Sequence, residues 1–133
     1  MKPSEFIKTV FQRRPQECAA ACTCMVMNYY GKHISLDDLC KEHHVAETYC
    51  SAGDIMRIAK AYGFTAHGHK TEPTQVDHIP TPAILHWNSN HFIVLESFDG
   101  EYFYVNDPNI GRIRLNSAAM VQNFTGVYLI FEH

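Results

Sequence analysis

The sequence lacks an excess of positive charge, a long apolar run and a glycine-rich phosphate loop. Among its 133 residues, 11 Lys and Arg stand against 14 Asp and Glu, so the net charge is −3 and no nucleic-acid partner is expected. The longest apolar stretch, Ala19 to Met27, has nine residues including Thr23, whereas a bilayer-spanning helix needs roughly 20. Because no glycine-rich loop follows a predicted strand, no nucleotide site is expected in this domain.

Two further features are missing: a secretion signal and paired metal-ligand spacing. The chain begins with MKPSEFIKTV, which contains no apolar signal region, so we expect it to work on the cytoplasmic side of a membrane. Its five cysteines are an odd number, and the compartment we expect is reducing, so both points argue against a disulfide framework. They are Cys18, Cys22, Cys24, Cys40 and Cys50. None has the C-x2-C spacing of a structural zinc site, and we expect neither metal nor cofactor in this domain.

The composition provides the core of one domain over residues 1–133, with 46% apolar and 12% aromatic residues. Helical signals come first. The predicted helices are Cys18–Tyr30 ended by Gly31, Ser35 to about His43, Ser51–Tyr62 ended by Gly63, and a short one near Ser117–Asn123. The predicted strands are Thr9–Phe11, Thr65–Lys70, Pro82–Trp87, His91–Ser97, Glu101–Asn106, Arg112–Leu115 and Val127–Phe131. Helices followed by an antiparallel sheet predict an α+β fold.

One predicted hairpin brings a histidine and an acid together. Asp99-Gly100 lies between two apolar strands, and a three-residue loop with a left-handed Gly100 pairs positions whose numbers sum to 198. That register sets Ile93 opposite Val105 on one apolar face, and the next pair outward is His91 with Asp107. Directly opposed residues lie about 5 Å apart, so the pattern predicts an imidazole–carboxylate hydrogen bond at the rim of the sheet.

A nucleophile for this pair is expected at Cys18. It follows Pro15 at the beginning of a helix, where free N–H groups and the helix dipole favour a thiolate. A nearby histidine can activate the thiol, and an acid can orient the histidine. Gln12, six residues earlier, can offer a side-chain N–H to an oxyanion beside the Cys18 amide.

Gln12, Cys18, His91 and Asp107 have the residue order of papain-like cysteine peptidases. The sequence most closely resembles the double-glycine peptidases that process bacteriocins and are fused to the amino terminus of peptidase-containing ABC transporters. The matching stretches are Glu17 to Cys22, Tyr29 to Gly31, Ser51 to Ile55, His91 to Leu95, Asp107-Pro108 and Phe124 to Gly126. The family usually has glycine after the nucleophile, where this chain has Ala19, which we expect to be tolerated.

The resemblance implies that Cys18 is the nucleophile, His91 the base and then the acid, Asp107 the residue that orients His91, and Gln12 the oxyanion donor. It implies removal of the leader from a ribosomally made peptide, of bacteriocin or lanthipeptide type, after a Gly-Gly-like pair through an acyl-thioester. It also implies membrane and ATP-binding transporter domains in the full-length protein, with this soluble domain at the cytoplasmic side of the bacterial inner membrane.

Similar leaders bind as amphipathic helices whose apolar side chains enter a surface groove. The candidates for this groove are the exposed members of the set Met25, Met27, Tyr29, Tyr30 and Tyr62.

Other interpretations remain open at this point. A related domain can bind the leader without cutting it, and a papain-like fold can belong to an amidase or a peptidoglycan peptidase. His86, at the end of a predicted strand, competes with His91 as the base. A metal or redox centre would draw on His43-His44, His67-x-His69, Cys22-x-Cys24 and His86.

Overall fold

The computed structural model describes residues 7–45 and 50–133. The helices are α1 (Cys18–Tyr29), α2 (Leu36–His43), α3 (Ala52–Ala61) and α4 (Ser117–Asn123). The strands are β1 (Thr65–Lys70), β2 (Ala83–Trp87), β3 (His91–Phe98), β4 (Phe103–Asp107), β5 (Gly111–Leu115) and β6 (Phe124–Glu132). Short 3-10 helices, Pro15–Glu17 and Pro73–His78, precede α1 and β2. The four predicted helices are confirmed.

Local signals begin α2 and α3 and end α1. The Ser35 hydroxyl accepts the Asp38 amide of α2 at 3.1 Å. At α3 the capping box is complete, because the Ser51 hydroxyl accepts the Asp54 amide while the Asp54 carboxylate accepts the Ser51 amide. Gly31 ends α1 with a φ of +94°, a conformation that favours glycine. These boundaries follow from signals within a few residues of each helix end.

The strands form one antiparallel sheet in the order β1-β6-β2-β3-β4-β5. One face carries Ile84, Val94 and Leu129, which join the apolar core under α1 and α3. The other face carries Leu85, Leu95 and Val105, which pack with Met120 of α4. The sheet is therefore covered on both sides, and its helical face holds α1 against β2 and β3. The predicted α+β arrangement of helices on an antiparallel sheet is confirmed.

The predicted register of the β3–β4 hairpin is wrong by two positions. Val105 pairs with Leu95 rather than with Ile93, and a bulge lies between Leu95 and Ser97. The sequence pattern placed the irregularity at Gly100, which is indeed left-handed with a φ of +97°. The bulge lies instead at Glu96, whose buried carboxylate accepts Arg112 Nε at 2.6 Å. An ion pair between a buried carboxylate and an arginine of another strand leaves no trace in the alternation of apolar residues.

Residues 7–12, the first described segment, form no helix or strand, so the strand expected at Thr9–Phe11 does not form. The Ile7 amide donates to Glu96 Oε2 at 2.9 Å, and the Ile7 carbonyl accepts Asn106 Nδ2 at 3.0 Å and the Arg112 guanidinium. The Gln12 amide donates to the Pro108 carbonyl at 2.8 Å. The segment is therefore attached at both ends to the part of the sheet that contains β3 to β5.

Candidate active site

Cys18 is the first residue of α1, directly after the short helix Pro15–Glu17. The buried Glu17 carboxylate accepts the backbone amide of Arg13 at 2.8 Å and its guanidinium at 2.8 and 3.3 Å. Arg13 Nη1 also donates to Asp37 Oδ1 of α2 at 2.8 Å. Cys18 itself is only 2% exposed, but it lines a cavity of about 750 Å³. The thiol therefore faces an open cavity from a fixed helix terminus.

His91 and Asp107 form the predicted hydrogen bond, with 2.8 Å between His91 Nε2 and Asp107 Oδ1. In the observed register Ile93 falls across from Asp107, so His91 reaches the carboxylate as a diagonal neighbour rather than a directly opposed one. The Asn109 amide donates to the same Oδ1 at 2.8 Å. The predicted contact is confirmed, although the register from which it was predicted is wrong.

The Cys18 thiol is the second neighbour of the His91 imidazole and, like Asp107, acts on its pKa. Because Nε2 is occupied by Asp107, the second ring nitrogen, Nδ1, is left for Cys18. Burial by itself lowers the pKa of His91, but hydrogen bonds to Asp107 and Cys18, and the negative charge on both, raise it to about 9. A sulfur, an imidazole and a carboxylate thus form one connected row, which is able to move a proton away from a nucleophile and hold it.

Gln12 lies at the edge of the same site. It lines a second cavity, of about 460 Å³, together with His91 and Asp107. Its Nε2 donates to the Arg14 carbonyl at 3.3 Å, and its buried Oε1 has no partner among the described residues. The structure therefore brings Gln12 to the site, while its role as an oxyanion donor stays a prediction.

His86, the rival base, lies in β2 on the wall of the larger cavity. Its Nδ1 is 2.9 Å from the Thr125 hydroxyl, and its ring packs at 5.0 Å from that of Phe92. His91 therefore has the carboxylate partner that orients a base, whereas the partner of His86 is a hydroxyl. Sequence reasoning did not identify Thr125, because its contact with His86 joins two strands that are remote in the chain.

The turn before His91 is a second feature that sequence reasoning missed. Asn88 and Ser89 have φ values of +51° and +69°, and the Asn88 amide donates to the Asn123 carbonyl at 2.8 Å. Asn90 lines both cavities. The signal in the sequence is the run Asn88-Ser89-Asn90 directly before His91, which is typical of a tight turn.

The five candidates for a leader groove have different positions. Met25 and Met27 are fully buried, so the expectation that they form an exposed groove is wrong for both. They are buried because α1 packs against β3 on one side and against α2 and α3 on others. Tyr29 and Tyr62 are half-buried and Tyr30 is exposed. The Tyr62 hydroxyl donates to Glu42, and Tyr29 and Tyr30 meet edge-to-face at 5.1 Å.

The residues considered for a metal or redox centre lie apart. His67 is 3.2 Å from Glu132, and His69 stacks on Tyr128. In residues 7–45 and 50–133, no three His, Cys, Asp or Glu side chains are grouped as ligands for a metal ion. All five cysteines are free thiols. Burial raises the pKa of four of these thiols. The pKa of Cys22 lies well above its ordinary value, that of Cys24 is raised to about 12, and those of Cys40 and Cys50 are raised to about 11.

None of the helices in the described parts of the chain is both long enough and apolar enough to cross a bilayer.

Comparison with known proteins identifies a family. The sequence profile of the peptidase C39 family matches residues 7–133. The chain is 29% identical over 123 residues to the probable microcin-H47 secretion/processing ATP-binding protein MchF of Escherichia coli, and equally to the colicin V secretion/processing ATP-binding protein CvaB of that species. Each match covers 92% of this chain and 18% of the relative. The chain thus spans less than a fifth of the length of these relatives.

Solved structures agree with the family match. A double glycine motif protease from an AMS/PCAT transporter, crystallised in complex with the leader peptide, is 34% identical with a TM-score of 0.88. That match covers 96% of this chain and 91% of the other. The peptidase domain of Streptococcus ComA is 20% identical with a TM-score of 0.84 and covers 95% of this chain and 98% of its own, which shows the same fold.

Proposed function

Because the chain belongs to the peptidase C39 family, we propose that it is a cysteine endopeptidase domain that removes the leader from a ribosomally made peptide. The cut follows a Gly-Gly-like pair, and the peptide product is of the bacteriocin or lanthipeptide type. In the full-length protein the domain serves an ABC transporter, from the cytoplasmic side of the membrane. This proposal extends to the present chain what the names of its relatives say of them.

One observation carries the proposal: the connected row of Cys18, His91 and Asp107. The sulfur lies at a helix start, the imidazole contacts it, and the carboxylate is 2.8 Å from the far ring nitrogen. A cysteine that only fills the core does not require an imidazole beside it, whereas a nucleophilic cysteine requires one to accept the proton of its thiol.

The proposed reaction has two halves. In the first, the sulfur of Cys18 adds to the scissile carbonyl carbon while His91 holds the proton, and the C–N bond breaks as His91 gives that proton to the leaving amine. A thioester between Cys18 and the leader remains. In the second half, His91 takes a proton from water, the hydroxide adds to the thioester carbonyl, and the C–S bond breaks to release the leader and restore the thiol.

Asp107 acts on these reaction steps through His91. Its carboxylate fixes which ring nitrogen faces Cys18 and stabilises the imidazolium that forms. The tetrahedral oxyanion needs donors beside the sulfur, which we assign to the backbone amide of Cys18 and the side chain of Gln12. For this role the Gln12 amide turns its Nε2 from the Arg14 carbonyl, 3.3 Å away, toward the site when substrate binds.

The test is cleavage of a synthetic precursor peptide that carries an amphipathic leader and a Gly-Gly pair, with the products read by mass spectrometry. We expect a single cut after the second glycine, and we expect Cys18→Ala and His91→Ala to abolish it. Cys24→Ala, which removes a buried thiol from the same helix, is the matched control and is expected to retain turnover.

Two outcomes would contradict the proposal. Full turnover by Cys18→Ala or His91→Ala would remove that residue from the mechanism. Saturable binding of the precursor by the unmodified chain without any product would identify the domain as a leader-binding module that does not cut.

A further inference from the structure

Two cavities border the pair of Cys18 and His91, and each is lined by a different member of the pair. The cavity of about 750 Å³ is lined by Cys18 and His86, and His91 is absent from its described wall. The cavity of about 460 Å³ is lined by His91 and Asp107, and Cys18 is absent from its described wall. Asn90 borders both. The two cavities are therefore neighbours that share the wall residue Asn90, and Cys18 lines one of them while His91 lines the other.

The proposed chemistry assigns one half of the substrate to each side. The acyl half becomes bonded to sulfur, so it must occupy the cavity that Cys18 lines. The amine half receives its proton from His91 and leaves, so it must occupy the cavity that His91 lines. We propose that the smaller cavity binds the residues that follow the scissile bond, and that it selects an apolar side chain at the first of them. This inference rests on the proposed peptidase function.

The rim of the smaller cavity carries an unusual amount of exposed apolar surface. Phe11 is 57% exposed and Ile110 is 58% exposed, the two highest values among the five large apolar side chains that are exposed in the described residues. Ile110 lines the cavity, and Phe11 precedes Gln12, which also lines it. The Phe11 ring comes within 3.4 Å of the place where a Cβ on Gly111 would stand. Ile110 thus exposes apolar surface at this cavity, and Phe11 exposes more beside the neighbouring Gly111, as is typical of a binding surface.

The polar lining of this cavity favours an uncharged peptide. Asn88, Asn90 and Asn109 bring amide groups that can bind a peptide backbone, and Trp87 forms an apolar part of the wall. No lysine or arginine is among its described lining residues. The cation in this cavity is the His91 imidazolium, which is already bound to Asp107, so an acidic side chain after the scissile bond would lose water without gaining a cation of its own. The expected order of preference at this position is leucine, then serine, then aspartate.

The experiment uses three peptides with the same leader and Gly-Gly pair, followed by leucine, serine or aspartate and then by a constant sequence. We expect kcat/KM for the leucine peptide to exceed that of the serine peptide about fourfold, close to the contribution of burying one CH2 group. Ile110→Ser and Phe11→Ser should each bring that ratio below about twofold. Val121→Ser, an exposed aliphatic position on α4 outside both cavities, is the matched control and should leave the ratio unchanged.

The results separate failure of this inference from failure of the proposed function. If the unmodified chain cleaves all three peptides with equal kcat/KM, or if both rim variants keep its leucine-to-serine ratio, the inference is overturned and the peptidase stands. A chloromethyl ketone ending in Gly-Gly carries only the acyl half of the substrate. If it fails to alkylate Cys18 and no peptide is cut, the proposed function is overturned together with the inference.

Discussion

At the scale of single residues, His91 determines the pH range in which the site can work. Its pKa is raised to about 9, because its bonds to Asp107 and Cys18 outweigh the effect of burial. Below that pH the imidazole carries a proton for the leaving amine, and above it the proton is lost. We expect kcat/KM for the Gly-Gly precursor to fall as the pH rises through about 9, measured between about pH 6 and pH 10.5.

Asp107→Asn tests why kcat/KM falls above about pH 9, which is the alkaline limb of the pH profile. The substitution keeps the shape of the side chain but removes the charge and the preferred acceptor of the His91 N–H. We expect kcat to fall at least about a hundredfold, KM to change little, and the alkaline limb to move below pH 9. A loss confined to KM, with the limb unmoved, would show that Asp107 binds substrate and does not orient His91.

Alkylation separates Cys18 from the other thiols. Burial raises the pKa values of Cys22, Cys24, Cys40 and Cys50, so these four react slowly in weak acid. Cys18 lines a cavity and faces His91. We expect iodoacetamide at about pH 6 to label Cys18 first, as read by peptide mapping, and His91→Ala to remove that preference. Equal labelling of several cysteines in the unmodified chain would contradict the proposed activation of Cys18 by His91.

Residue identity at the site was predictable to a useful degree, and side-chain placement was not. Cys18, His91 and Asp107 were predicted from the pattern at the helix start and the hairpin, and the structure places them in contact. Met25 and Met27 were misplaced because methionine serves both in apolar cores and on adaptable binding surfaces. The side on which a helix residue is covered depends on neighbours that arrive from distant parts of the chain.

At the scale of elements, β6 depends on one glycine. Gly126 has a φ of +99°, and a Cβ there would stand 2.2 Å from the Thr71 carbonyl oxygen. Backbone atoms cannot yield as a side chain can, so we expect Gly126→Ala to lower the free energy of unfolding by at least about 3 kcal/mol. Gly31→Ala is the control, because Gly31 has a similar φ but open space around it. It should cost about 1–2 kcal/mol.

Urea unfolding followed by circular dichroism measures both variants. Equal losses of unfolding free energy in the two variants would mean that the Thr71 carbonyl does not exclude a Cβ at position 126.

Helix limits and strand register differed in how far they could be predicted. The serine caps of α2 and α3 act within three residues, so the sequence around each helix start contains the whole signal. The register of β3 on β4 depends on the bulge beside Glu96 and on its partner Arg112. These two residues are brought together only by the sheet itself, so local patterning could not reveal their effect.

At the scale of the whole molecule, Arg13 joins three parts of the chain. Arg13 lies in the segment before α1, where it binds the buried carboxylate of Glu17, and it also binds Asp37 of α2. We expect Arg13→Ala to lower the free energy of unfolding by about 2–3 kcal/mol, because it leaves the Glu17 carboxylate buried without its partner. Lys41→Ala, which removes the other, exposed partner of Asp37, should cost less than about 1 kcal/mol.

The pH dependence of this loss has a definite sign. Burial works to raise the pKa of Glu17, but its bonds to Arg13 outweigh that effect and lower the pKa below its ordinary 4.5. The stabilisation is therefore complete above about pH 4.5 and disappears as the pH falls through the lower folded-state value. The difference between the unmodified chain and Arg13→Ala should narrow in acid. A constant difference at every pH would show that Arg13 stabilises by packing alone.

The two halves of the site come from opposite parts of the chain, the sulfur from the first helix and the imidazole from the third strand. A ribosome therefore completes the thiol-bearing helix long before the histidine emerges. Until the central strands assemble, the newborn chain holds the Cys18 sulfur without the His91 imidazole. The proposed peptidase site therefore exists only once the sheet packs against that helix.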